Sequence, residues 1–382
     1  MLPTPLRHEW MTDEIDMLRD ETRRFVEAKL VPELPRWRAQ GFADKGAWRA
    51  VGEMGMLLPE IPEALGGAGA TLAHQLVVQE EFARAEVPPS TAVHCLVAHY
   101  LADCGTEEQK QRWLPRMASG DLFAGIAMTE PGAGSDLQAI RTRAVRDGDH
   151  YVINGAKTFI TNGYSGNLLA VVVKTDTSLG AKGISLIVME TEGLAGFRVG
   201  RILEKIGNAA SDTCELFFDD VRVPAENLIG GIEGQGFAQL MSQLPFERML
   251  IAVGAAAVIE RAVELTVTYT KERKAFGQTL FEFQNTRFKL AECATLAHVV
   301  RSFVNDCIQR LVHGKLEAEA AYMAKWWCTE QQCRVLDECL QLFGGYGYMT
   351  EFPIARMFAD ARVQKIYGGA NEIMKELIGR RL

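Results

Sequence analysis

A glycine-containing loop follows an apolar run at the end of the first third of the chain and reads Met128-Thr129-Glu130-Pro131-Gly132-Ala133-Gly134-Ser135-Asp136. Two glycines, a hydroxyl and free backbone N–H groups in one turn can hold a phosphate or the polar edge of a ring cofactor. An ordinary Pro-Gly turn would explain the same residues. The loop lacks the third glycine and the following helix of a dinucleotide fingerprint, which disfavours a nicotinamide-binding Rossmann site.

The chain on the amino-terminal side of this loop has a helical pattern. Apolar residues recur at three- and four-residue spacing between Ile15 and Leu30, which predicts an amphipathic helix. Further helices are predicted over 72–85 and 91–104, with turns marked by glycines and prolines between them. Residues 1–121 are therefore predicted to form a helical domain.

Short β-branched and aromatic runs follow, at 151–153, 168–173, 184–189 and 215–218. Gly, Asn and Asp separate these runs, which is typical of strands joined by turns. No ten-residue helical pattern lies between them, so a doubly wound parallel sheet is disfavoured. Residues 122–235 are predicted to form a small antiparallel, barrel-like β domain.

Helical periodicity returns after the glycines of 230–236, and Pro245 is predicted to kink or start the helix there. Two more long helical stretches follow at 284–313 and 316–343. Residues 236–382 are therefore predicted to form a four-helix bundle of long antiparallel helices. The expected fold class is mainly α with a central β domain.

Composition excludes several partners. The formal net charge of the 382 residues is −8, from 41 Lys+Arg and 49 Asp+Glu, so no general attraction for nucleic acid or an anionic membrane is expected. No apolar run reaches the roughly 20 residues of a membrane helix. The stretch from Met1 to Glu14 does not read as a targeting peptide. A cytoplasmic chain, or a mitochondrial-matrix chain in a eukaryote, is expected.

The eight cysteines form no C-x-x-C pair and have no histidines at zinc spacing beside them. Disulfides are rare in long chains without an export signal. Reduced cysteines packed as small hydrophobes are therefore predicted, with no metal site.

The loop at 128–136 resembles the flavin-binding signature of the acyl-CoA dehydrogenases. Further pieces recur in that family's order along nearly the whole chain: Asn154-Gly155-Ala156-Lys157, Ile160-Thr161-Asn162-Gly163, Phe217 to Pro224, Glu272 to Gly277, Gln341 to Tyr348 and Ile366 to Gly369. The resemblance implies a homotetrameric FAD enzyme that desaturates an acyl-CoA to a trans-2-enoyl-CoA and passes electrons to an electron-transfer flavoprotein. A dehydrogenase of carrier-protein thioesters, or a non-catalytic relative, stays open as an alternative.

The resemblance also implies a set of cofactor-binding residues, namely Met128, Thr129, Gly134, Ser135, Phe159, Thr161, Arg273, Phe276, Gln284, Gln341, Gly344, Gly345, Ala370 and Glu372. Thr129, Phe159 and Thr161 would lie against the flavin ring, with the Thr161 hydroxyl near N5. The members from Arg273 to Gly345 would bind the adenine half, partly across a subunit interface. Arg273 can offer a bidentate contact to phosphate, although a cation there would also stabilise a helix C-terminus.

The catalytic base departs from the pattern of many relatives, which carry a glutamate where this chain has Gly368. Glu372 follows Asn371, a natural helix cap, so the helix dipole explains its charge. Glu247 resembles the arrangement in long-chain and isovaleryl-CoA dehydrogenases, which place the base on the long helix. The long-chain type also shares the stretch from Tyr367 to Ile378 nearly intact, with Ala370 where a threonine is usual.

We therefore expect Glu247 to be the base, with a cation-paired carboxylate on the helix surface as the alternative. Apolar burial would raise the pKa of such a base towards neutrality. The resemblance implies that the thioester carbonyl is polarised by a backbone N–H of the Gly368 loop and by a ribityl hydroxyl of FAD. Substrate contacts are expected from Ser135, Arg248 and Gly369. Medium- to long-chain acyl groups, methyl-branched ones included, are the expected substrates.

Overall fold

The computed structural model describes residues 7–382, so the expectation about a targeting peptide lies partly outside the described residues. Six α-helices form the amino-terminal part: α1 (Asp13–Phe25), α2 (Leu34–Gln40), α3 (Lys45–Glu53), α4 (Leu72–Arg84), α5 (Ser90–Cys104) and α6 (Glu107–Ala118). The Thr12 hydroxyl caps α1 by accepting the N–H of Ile15 at 3.3 Å. Both α4 and α5 carry buried residues on most of their faces and are core helices.

The central part is one seven-stranded sheet with β1 (Ala124–Ala127), β2 (Arg143–Asp147), β3 (His150–Thr161), β4 (Leu168–Lys174), β5 (Ile184–Glu190), β6 (Phe197–Ile202) and β7 (Thr213–Pro224). The strand order is β1-β4-β2-β3-β7-β6, with β5 paired to β4. Most pairs are antiparallel, but β1 runs parallel to β4 with Ala124 opposite Leu168. The predicted β domain is confirmed and is mostly antiparallel, but the sequence did not indicate the parallel pair, which is possible because β2 and β3 form a connection long enough for a crossover.

The carboxy-terminal part contains α7 (Gly236–Glu272), α8 (Gln284–Val312), α9 (Ala318–Phe343), α10 (Pro353–Ala361) and α11 (Asn371–Gly379). A two-stranded hairpin, β8 (Lys274–Ala275) with β9 (Gln278–Thr279), joins α7 to α8. The three long helices pack on one another, and α10 and α11 pack on α9. Helix α7 continues through Pro245, so of the two predicted alternatives, a kink or a helix start, the start is excluded. The helical, β, helical order is confirmed.

Helix α5 connects the sheet to α7. Near its start, the His94 Nδ1 atom accepts the N–H of Ala124 on β1 at 3.1 Å. Near its end, the His99 ring packs 4.3 Å from the Phe246 ring, measured between centroids. Helix α5 therefore contacts both the start of β1 and the part of α7 that carries Phe246, the residue before Glu247. No helix in the described part of the chain is long and apolar enough to cross a membrane.

Candidate active site

A buried ion pair holds the loop after β1. The Lys157 ammonium donates to the Glu130 carboxylate and to the Met128 carbonyl, each at 2.9 Å. Glu130 also accepts the backbone N–H groups of Arg141 and Thr142 at 2.6 and 2.9 Å. Burial alone would raise the pKa of Glu130, but Lys157 and these donors hold it below its ordinary value. Removing one partner of a buried ion pair strongly destabilises a protein, because the other charge stays buried without a partner. The Lys157–Glu130 pair therefore fixes the loop against β3.

Strand β3 loses its register between Lys157 and Ile160, opposite the loop. Phe159 has a φ of +59°, rare for a residue with a side chain, and 66% of it stays exposed. The N–H of Thr158 donates to the Thr129 carbonyl at 2.9 Å, which brings the irregular strand against the loop. Irregularities of this kind re-aim side chains next to functional sites.

The other members of the predicted flavin set lie close by in the chain. Thr161 ends β3 opposite Thr213. Gly134 and Ser135 are exposed in the same loop as Thr129. A Cβ added at Gly134 would meet nothing within 4 Å, so the backbone there is open to a ligand. The structure thus brings the loop and the end of β3 into one patch.

Glu247 comes from α7, yet its carboxylate lies beside the loop that carries Gly368. Its Oε1 atom is 3.6 Å from the position that a Cβ on Gly368 would occupy. The Arg248 Nη2 atom is likewise 3.6 Å from the Cβ position of Gly369. Gly368 and Gly369 have φ values of +60° and +86°, which favour glycine. The carboxylate therefore reaches the place from which a loop glutamate would project.

The surroundings of Glu247 shift the pKa of its carboxyl group. Burial raises the pKa of the Glu247 carboxyl above its ordinary value, and the nearby cations Arg248 and Lys325 only partly oppose this shift. Arg248 is buried, with its guanidinium 4.8 Å over the Tyr322 ring. Its Nη1 atom has no hydrogen-bond partner among residues 7–382, which leaves a buried donor for a ligand.

Lys325 holds the Gly368–Gly369 loop, a role that the sequence did not indicate. Its buried ammonium donates to the Gly369 carbonyl at 2.7 Å and to the Asn371 Oδ1 atom at 3.0 Å. Asn371 is the first residue of α11 and bonds Lys325, so its predicted role as the helix cap was wrong. The available signal was a lysine within the otherwise apolar and small stretch from Ala321 to Cys328.

Residues 370 and 372 sit at the start of α11, beyond the glycine loop. Ala370 is the N-cap residue of this helix. Glu372 is exposed and lies in the first helical turn, where a negative charge favours the helix dipole. These positions border the Gly368–Gly369 loop without entering the space beside Gly368 that Glu247 fills.

A second cluster lies at the far end of α7. Arg273 ends this helix, and its guanidinium lies 5.4 Å over the Tyr346 ring. Phe276, on the β8–β9 hairpin, has a φ of +53° and is 95% exposed. Gln284 opens α8, and Gln341, Gly344 and Gly345 lie at the end of α9, all exposed. Since Arg273 is 26 residues after Glu247 on one helix, about 39 Å separates the two.

A cavity beside the Gly368 loop extends along α7. Leu250, Ile251, Gly254 and Val258 line it from this helix, and Tyr367 lines it from the loop. Further walls come from α4, α5, α9 and α10. The sequence did not indicate this cavity, because its lining comes from five helices and several loops that are far apart in the sequence.

Sequence models of the acyl-CoA dehydrogenase family match three consecutive parts of the chain: the N-terminal domain at residues 12–121, the middle domain at 125–221 and the C-terminal domain at 234–382. The long-chain specific acyl-CoA dehydrogenase, mitochondrial, of Sus scrofa is 45% identical over 375 residues, which cover 97% of this chain and 87% of that protein. The chain belongs to the acyl-CoA dehydrogenase family. The resemblance drawn from the motifs is confirmed.

Solved structures of acyl-CoA dehydrogenases have the same fold. One from Geobacillus kaustophilus superposes with a TM-score of 0.95 at 44% identity, covering 98% of this chain and 99% of that chain. A glutaryl-CoA dehydrogenase from Mycobacterium smegmatis in complex with FADH2 gives a TM-score of 0.91 at 27% identity, with coverage of 97% and 95%. The chain is thus an FAD-dependent acyl-CoA dehydrogenase, a flavoprotein oxidoreductase.

The residues present fit FAD. The exposed Phe159 ring and the hydroxyls of Thr129 and Thr161 suit a flat ring with a polar edge. Arg273 offers a fixed guanidinium to a phosphate, and Cβ atoms added at Gly344 or Gly345 would meet nothing within 4 Å. Both ends of the cofactor therefore have suitable partners, on two clusters of the chain.

Proposed function

We propose that this acyl-CoA dehydrogenase desaturates medium- to long-chain acyl-CoA thioesters, methyl-branched ones included, to trans-2-enoyl-CoA and passes electrons to an electron-transfer flavoprotein. The observation that carries the proposal is the Glu247 carboxylate, 3.6 Å from the Cβ position of Gly368. FAD, when bound, supplies the acceptor for the hydride of the β-carbon. A cytoplasmic location, or the mitochondrial matrix in a eukaryote, agrees with this activity.

Glu247 removes the α-proton in this proposal. A base must be unprotonated at the working pH and basic enough to take a proton, and a raised pKa serves the second need. The N–H of Gly368 polarises the thioester carbonyl, and Lys325 fixes that loop through the Gly369 carbonyl. Arg248, with its unpaired buried donor, and Ser135 are proposed substrate contacts.

The cavity along α7 supports the proposal of medium to long acyl chains. Helix α7 rises about 16 Å from Glu247 to Val258, at the far end of its lining residues. An extended chain advances about 1.2 Å per bond, so this length corresponds to about 13 bonds. Medium and long acyl chains would use the cavity, and a four-carbon chain would leave most of it empty.

Anaerobic titration of the FAD-loaded protein with acyl-CoAs of increasing length tests the proposal. Flavin absorbance should bleach most readily with medium and long chains. Bleaching confined to butyryl-CoA would remove the long-chain assignment. Bleaching by acyl groups on a carrier protein, with none by the CoA esters, would favour the carrier-protein alternative. A yellow protein that no thioester bleaches would favour a non-catalytic relative.

The rate of flavin reduction should depend on pH through Glu247. Only the ionised carboxylate accepts a proton, so the rate at saturating acyl-CoA should fall as the pH drops through the pKa of Glu247. Burial raises that pKa, so the midpoint should lie above the value of about 4.3 for an exposed glutamate. Stopped-flow reduction measured across pH locates the midpoint. A rate that is flat down to that ordinary value would contradict a buried base.

We also propose a homotetramer in which the Arg273 cluster of one subunit binds the adenine half of FAD held at the Glu247 site of another. Arg273 and Glu247 are about 39 Å apart along α7, so the Arg273 cluster and the Glu247 site of one subunit lie far from each other. Phe276 on the β8–β9 hairpin is 95% exposed, so its ring is available to a cofactor or a neighbouring subunit.

Arg273→Ala should weaken FAD retention and assembly together, since charge-assisted bonds to phosphate are among the stronger hydrogen bonds. The FAD content from absorbance and the mass from light scattering measure both. Lys274→Ala is the matched control, because it removes the neighbouring exposed cation and should change neither quantity. A monomer that keeps stoichiometric FAD would contradict the shared site.

A further inference from the structure

The cavity along α7 is not uniformly apolar. Four amide side chains, two acidic side chains and one tyrosine accompany the apolar residues of its lining: Gln79, Asn208, Gln332, Gln364, Glu86, Asp360 and Tyr367. A plain alkyl chain needs no hydrogen-bonding group around it. The polar lining therefore raises the question of which of these groups lack partners within the protein.

Most of the polar side chains that line the cavity already form hydrogen bonds within the protein. The Gln79 Oε1 atom accepts the Thr91 hydroxyl at 3.1 Å, and the Gln364 Oε1 atom accepts the Tyr367 hydroxyl at 2.8 Å. Both carboxylate oxygens of Glu86 are bound by Arg356, at 2.6 and 2.9 Å. These groups can line the cavity without a ligand.

Gln332 differs. It lines the cavity from α9, is only 1% exposed, and its Oε1 atom finds no hydrogen-bond partner in the part of the chain that the structure describes. A buried carbonyl without a partner is rare and needs a water or a ligand group. A plain alkyl chain in the cavity would leave this carbonyl unpaired, whereas a chain that carries a hydroxyl at the same level would supply its missing partner.

We propose that the acyl pocket selects chains that carry a hydroxyl group along their length, and that Gln332 is the residue that recognises it. This inference rests on the proposed function, because it places the chain in the cavity beside Glu247. A hydroxyl can donate to Oε1 and also accept from the amide nitrogen, so it pairs with either face of the Gln332 side chain.

A carboxylate at the chain end is a poorer match. A carboxylate only accepts hydrogen bonds, so it offers nothing to the Gln332 carbonyl. Glu86 and Asp360 place two acidic side chains in the same lining, and burial raises the pKa of Asp360 to about 6. A neutral donor meets these groups without the repulsion that a second buried anion would bring.

The test compares dodecanoyl-CoA with its positional isomers that carry one hydroxyl, moved from the middle of the chain to its end. Flavin reduction in the wild-type protein should show a kcat/KM for one isomer about tenfold above that of the parent chain. Gln332→Met keeps the length and bulk of the side chain and removes its amide. It should abolish this preference and improve the plain chain.

Gln79→Met is the matched variant, because it removes a lining amide whose carbonyl already has a partner. The hydroxyl preference should survive it. No preference for any isomer in the wild-type protein, or an unchanged preference in Gln332→Met, would overturn the inference while dodecanoyl-CoA still bleaches the flavin. If no chain bleached it, both the proposed function and this inference would fall. If Gln332→Met fails to fold, the comparison of dodecanoyl-CoA with its hydroxylated isomers in the wild-type protein still decides the matter.

Discussion

Glu247→Gln should leave FAD bound and slow its reduction by acyl-CoA by about a hundred- to ten-thousand-fold, the usual effect of losing a general base. The amide keeps the size and much of the polarity of the carboxyl but cannot accept the α-proton. The amide oxygen would still lie about 3.6 Å from the Cβ position of Gly368, so the pocket should keep its shape. Anaerobic stopped-flow absorbance measures the rate, and the flavin spectrum reports cofactor content.

Glu372→Gln is the control for this variant. It removes the same charge from an exposed position in the first turn of α11, where the helix dipole accounts for the glutamate. Its reduction rate should stay close to that of the wild type. Flavin reduction at the wild-type rate in Glu247→Gln would show that Glu247 is not the base. Loss of flavin reduction in Glu372→Gln alone would assign the base to the loop side of the site.

The sequence predicted the elements well where local pattern controls structure. Helices at 72–85 and 284–313 and the strand at 168–173 appear with bounds that differ by one residue. It failed where tertiary pairing decides. The parallel pairing of β1 with β4 depends on a connection that local alternation does not encode. Pro245 loses one helical hydrogen bond, yet packing keeps α7 continuous through it.

For the active site, the residues came from the family resemblance and their arrangement came from the fold. Glu247 and Gly368 are distant in the sequence, and no local pattern shows that one reaches the other. Lys325 and Gln332 were missed because a single polar residue in a helix normally faces solvent. Only their burial and hydrogen bonding reveal that they face the loop and the cavity.

Gly368→Glu should inactivate the protein rather than supply a second base. The φ of +60° strains any side chain at this position, and a Cβ there would lie 2.3 Å from the Cδ1 atom of Ile251. That contact pushes the loop and its carbonyl-polarising N–H out of place. Loss of one such donor costs about a hundred-fold or more in kcat, which steady-state turnover of the FAD-loaded variant would detect. Near wild-type turnover would show that the loop N–H is not needed.

Returning the base to the loop therefore requires space as well as a carboxylate. Ile251→Ala removes the clashing atom, so the triple variant Glu247→Gln, Ile251→Ala, Gly368→Glu should recover part of the flavin reduction lost in Glu247→Gln. Recovery should be incomplete, because the left-handed backbone still costs about 1–3 kcal/mol with a side chain present. The same triple variant with Gly368→Gln has the same bulk without a base and should stay inactive. Equal activity of the two triple variants would show that the loop carboxylate does not take the proton.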